Sequence, residues 1–165
     1  MGMFLTMFLL SDTVIVAGGA DDEIKAELKK LQGTWVVVST ERDGVKRQEP
    51  RTLYVFEGDR AKEHFQTMPV TANPKTWTFS PNSTNHLLTL QFKLDPSQSP
   101  KAIDERTQYK DGKTSTKPTL GIYKLENDTL TICCGGYRDK GKRPQDFTAA
   151  EGSGRRIEIL KREKP

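Results

Sequence analysis

The segment HLLTLQFKLD, residues 86–95, constrains the chain more than any other. Leu88, Leu90, Phe92 and Leu94 alternate with Thr89, Gln91 and Lys93. A period of two puts successive side chains on opposite faces, so this is a strand with one apolar and one wet face. Similar short runs recur along the chain. TWVVVSTE precedes the turn RDG, TLYVFEG precedes GDR, and AKEHFQTM and TWTFS follow. AIDERTQYK precedes DGK, TLGIYKLE and TLTICCG flank Asn127-Asp128, and GRRIEILKRE closes the series. The Asn-Asp pair suits the positive φ of a short hairpin turn. Short strands at regular spacing with turn signals between them predict an all-β fold. Closure removes exposed sheet edges, so a small antiparallel barrel of about eight strands is expected rather than an open sheet.

One helix precedes the strands. In DDEIKAELKKLQG, Ile24, Leu28 and Leu31 form one stripe at helical spacing, Asp21 or Asp22 caps the start, and Gly33 closes the end. A helix this short has to dock its stripe to persist. Before it, MFLTMFLL and VIVAGGA lead to small residues and then DDE. This reads as a signal peptide over residues 1–20 and predicts export, with residues 21–165 as a single domain. The alternative is a buried N-terminal strand or a mis-assigned start codon. Neither apolar stretch spans a bilayer, and Asp12 would be costly inside a combined span.

The 165 residues suit one domain, and 34 % apolar content predicts a thin core. A formal charge of +4 is too mild for a dedicated nucleic-acid binder. Cys133 and Cys134 are adjacent, so a strand directs them to opposite faces. A disulfide between them would need a distorted backbone.

LQGTWVVVSTERDG, TLYVFEGDR, FKLDPSQSPKAID, TLGIYKLENDTLTIC, RPQDF and GSGRRIEILKRE occur in this order. Together they resemble a small uncharacterised domain family expanded in planctomycete bacteria, over about Leu28 to Glu163. That resemblance implies a lipocalin-like β-barrel and supplies no activity. A looser resemblance is to the lipocalins through Gly33, Thr34 and Trp35. It implies that Trp35 plugs the closed end of the barrel and that Arg162, from the last strand, packs over it by a cation–π contact.

The candidate chemistry is sparse. His64 and His86 lie in strand-like runs with no second histidine, cysteine or paired acid at metal-binding spacing, so no metal is expected. Asp104 and Glu105 are neighbours that face opposite ways. No nucleophile elbow or phosphate loop is present, and no catalytic residue or cofactor is expected. Tyr137, Arg138, Lys140, Lys142 and Arg143 form a basic loop that could meet phosphate or an acidic surface. Val37, Phe56, Trp77, Phe79, Leu90, Phe92, Ile122 and Ile132, with Ile157, are expected inside the barrel, where they either fill it or line an apolar cavity. The expectation is a monomeric, exported, non-enzymatic binding domain for a small hydrophobic ligand. The alternative is a filled barrel that contacts another protein of the cell envelope.

Overall fold

A computed structural model describes residues 19–47, 52–65, 86–109, 111–136 and 141–164. Helix α1 (Gly19–Leu31) is followed by β1 (Gly33–Arg42), β2 (Val45–Arg47), β3 (Thr52–Glu57), β4 (Arg60–Phe65), β5 (His86–Asp95), β6 (Ala102–Gln108), β7 (Thr119–Glu126), β8 (Thr129–Cys134) and β9 (Arg156–Arg162). From β3 onward each strand pairs with the next in sequence. β1 pairs with both β3 and β9, so eight antiparallel strands close into a lipocalin-like barrel. The ninth, β2, is a short extra strand hairpinned onto the end of β1. Its turn uses Asp43 and Gly44, both at positive φ (54° and 80°), as a two-residue hairpin requires.

Cross-strand register decides which side chains enter the barrel. Leu90, Phe92 and Leu94 stand opposite Thr107, Glu105 and Ile103. Ile103 stands opposite Gly121, Tyr123 opposite Ile132 and Leu125 opposite Leu130. Leu31, Trp35, Tyr54, Phe56, Phe92, Ile103, Tyr123, Ile132 and Leu160 belong to one buried cluster. The middle of the barrel is filled. Only about 10 Å³ remains between Tyr54, Phe56, Phe92, Ile103 and Ile132, room for a water at most.

β1 changes parity partway along. Val37 pairs with Leu160, and the register then shifts so that Ser39 pairs with Ile159 and Thr40 with Glu158. Val38 is the extra residue and is 51 % exposed. The bulge returns Thr40 and Arg42 to the inner face, opposite Glu158 and Arg156.

Two expected interior residues lie outside. Ile122 pairs with Ala102 and Cys133, and Cys133 pairs with Ile157, so these four share the outer face. Ile122 and Cys133 are nonetheless fully buried. Residues 144–149 of the β8–β9 connection cover this face: Pro144 and Ala149 are buried, and the Cys133 thiol donates to the Thr148 carbonyl at 3.8 Å. The apolar residues of IEI in β9 therefore pack outward, while Glu158 points in. The two cysteines do face opposite ways and are unbridged.

Candidate functional site

The closed end is built around Trp35. Its indole N–H donates to the Leu31 carbonyl at 2.8 Å. The Arg162 guanidinium stands over the ring, 4.1 Å from its centroid. The same guanidinium donates to the carbonyls of Gln32 (2.7 Å) and Lys30 (2.6 Å), satisfying acceptors that the end of α1 leaves open. Gly33, at φ 107°, makes the tight link from helix to strand. Glu27 of α1 is buried against the barrel, 3.0 Å from the Tyr123 hydroxyl and from Lys101, and 2.7 Å from Lys30. Burial pushes its carboxyl up, but these partners outweigh it and hold the carboxyl below the usual range.

The other end is open and has a cavity of about 460 Å³. Leu90, Thr107 and Cys134 form its walls, Glu63, Glu105 and Arg156 stand at its base, and Arg42, Asp43, Val45 and Arg47 form part of the rim. Gly135, Gly136 and Gly154 complete it. A side chain at Gly136 would collide with the Gly154 carbonyl, because the exit of β8 and the entry to β9 pack backbone on backbone there. Asp43 anchors the same corner by accepting the Gly154 N–H at 2.7 Å.

The base of the cavity is a buried charge network. Glu63 (8 % exposed), Glu105 (6 %) and Glu158 (8 %) come from three strands. Arg156 lies 3.4 Å from Glu105 and 3.6 Å from Glu158, and the Tyr54 hydroxyl donates to Glu158 at 3.3 Å. Burial pushes the Glu63 carboxyl above its usual range, reinforced by Glu158 and opposed by Arg156 and Tyr54. Burial does the same to Glu105, against the pull of Arg156. The Cys134 thiol lies 3.4 Å from Glu105. Burial and that neighbour both keep it protonated.

Of the residues expected to line a cavity, Leu90 reaches the open one. Phe56, Phe92 and Ile132 fill the barrel below it, and Val37 packs against the core as a partly buried residue. Ile122, and with it Ile157, belongs to the outer face. Trp77 and Phe79 lie outside the described residues, as do Tyr137, Arg138 and Lys140 of the basic loop. Lys142 is exposed. Arg143, a candidate of the basic loop, is tied to the barrel wall. It donates to the Gly121 carbonyl at 2.5 Å and pairs with Asp104 at 2.7 Å. His64 and His86 are cross-strand partners in the backbone register, a pairing that their spacing in the sequence does not show.

The charged base was not anticipated. Its signal lay in strand parity: Glu63 is two residues from Ala61, Glu105 two from Ile103, and Glu158 two from Leu160. Among the described residues no group of three or more His, Cys, Asp or Glu side chains is arranged to hold a metal ion. No described helix is long and apolar enough to cross a membrane. No protein-family model, curated protein or solved structure matches the chain.

Proposed function

We propose that this chain is an exported, non-enzymatic binding domain that takes a small molecule into the open mouth of its barrel. The observation that carries the reading is the 460 Å³ cavity above a filled barrel, a size suited to a small ligand. The aromatic residues that would have made an apolar cavity fill the barrel's middle instead. The ligand is therefore amphipathic, with its apolar part against Leu90 and Val45 and polar groups toward Glu63, Glu105 and Thr107. Binding without chemistry is supported by Cys134, the thiol in the cavity wall, which burial holds in its protonated form. Export rests on the segment over residues 1–20, of which residues 1–18 lie outside the described ones.

A second reading is a filled barrel that acts through its outer surface, favoured by the solid middle and by Arg143, which braces the β8–β9 connection. Native mass spectrometry of protein recovered from its source separates the two. The binding reading predicts a retained small molecule that is absent after Thr107→Trp, which fills the cavity while the fold is kept. The same spectrum is expected to show a chain starting near Asp21. A folded protein with no added mass supports the second reading, and a chain starting at Met1 contradicts export.

A further inference from the structure

We infer that the ligand of the barrel mouth is a small organic cation, a primary ammonium or guanidinium, received by the carboxylates of Glu63 and Glu105 at the base of the cavity. This rests on the reading of the mouth as a binding site and adds the chemical class of what it binds.

Charge balance at the depth of the cavity favours a cation. Glu63 and Glu105 both line the cavity, and both residues are more than nine-tenths buried. With Glu158 they make three acids around Arg156, whose guanidinium is engaged with Glu105 and Glu158. A buried acid without full compensation is costly, and a cation delivered through the mouth supplies that compensation. Arg42 and Arg47, the rim cations, are exposed. Water screens them, so they weigh less in selection than the buried acids. A 460 Å³ space is far larger than a bare metal ion needs and has an apolar wall at Leu90, which fits an organic cation.

The site should also respond to pH. Glu63 on β4 faces Tyr54 on β3, Arg156 and Glu158 on β9, and Glu105 on β6. Glu105 faces Arg156, Glu158 and the Cys134 thiol on β8. Burial favours the protonated form of both acids, and a bound cation favours the ionised form. Binding therefore releases protons and tightens as pH rises.

The test is calorimetric titration of the whole protein with three probes of one shape: benzylammonium, benzyl alcohol and benzoate. Benzylammonium is expected to bind about tenfold or more tighter than either of the others. Its affinity should rise from about pH 5 to about pH 8 with proton release. Glu63→Gln and Glu105→Gln, each checked for an unchanged circular dichroism spectrum, should each weaken it by about tenfold. Should either variant fail to fold, the probe series and the pH dependence in the unmodified protein decide the matter. Equal binding of all three probes, or preference for benzoate, overturns the cation and leaves the mouth a binding site. Binding of benzylammonium unaffected by Thr107→Trp overturns both, as does the absence of binding by any probe together with no retained molecule in the native protein.

Discussion

Trp35 and Arg162 sit 127 positions apart in sequence, and the pairing of the first and last strands puts them in register. The indole is fully buried and bonded to the helix end, so Trp35 joins α1, β1 and β9 through a single side chain. Trp35→Ala is expected to cost about 3–5 kcal/mol, the range for a buried aromatic, as read from urea unfolding. A loss below about 1 kcal/mol would show that the ring does not close the barrel. At the opposite end, Glu63 couples stability to pH. Its folded carboxyl is raised above the ordinary value of 4.5. Below that value the folded and unfolded forms are both protonated, and its contribution to stability is fully present. As pH rises through the folded value, the contribution is lost. Glu27 has the opposite sign: its carboxyl is lowered, and its contribution is lost as pH falls. Glu63→Gln should therefore lose less stability than the unmodified protein between about pH 5 and about pH 8. Parallel pH profiles for the two proteins would contradict the buried-acid account.

At the scale of elements, the strands follow from alternation and turn chemistry, and α1 from its apolar stripe and its capping acids. Those signals are local, which is why they can be read without a structure. The interior side of each strand is harder to read. In RIEILKR the apolar residues Ile157 and Ile159 mark one face, yet the barrel interior takes Glu158 and Leu160. The reason is not local: the β8–β9 connection folds over the outer face and buries it, so apolar residues are stable on both sides. The bulge at Val38 hides parity in the same way, since three valines in a row look alike in either register. β2, three exposed residues held by the Asp43-Gly44 turn, had too little pattern to be seen. The glycines at the rim had no signal either, because their role is the approach of two backbones. Gly136→Ala should force that approach apart and cost more than about 1 kcal/mol, measured by thermal unfolding. Gly58 has a positive φ of 61° with open space around it, whereas Gly136 is crowded without one, so a comparison with Gly58→Ala separates crowding from backbone strain. A loss below about 1 kcal/mol at Gly136 would deny that the rim is crowded.

The molecule as a whole is polarised along the barrel axis. One end is closed by the helix, the indole and the guanidinium, the middle is solid with aromatic and aliphatic side chains, and the other end holds a cavity over buried carboxylates. The sequence-level resemblance to a lipocalin-like barrel leads to the closed end, through Gly33, Thr34, Trp35 and Arg162. The open end follows only from register, because its charged residues are scattered over β4, β6 and β9. On the proposed function, small molecules enter at the mouth and not elsewhere in this barrel. Methyl-detected NMR during a titration with benzylammonium tests it most directly. Leu90, in the cavity wall, is predicted to shift, while Leu31 and Leu160, fully buried with Trp35 in the core, stay in place. Shifts at Leu31 and Leu160 with none at Leu90 would contradict it.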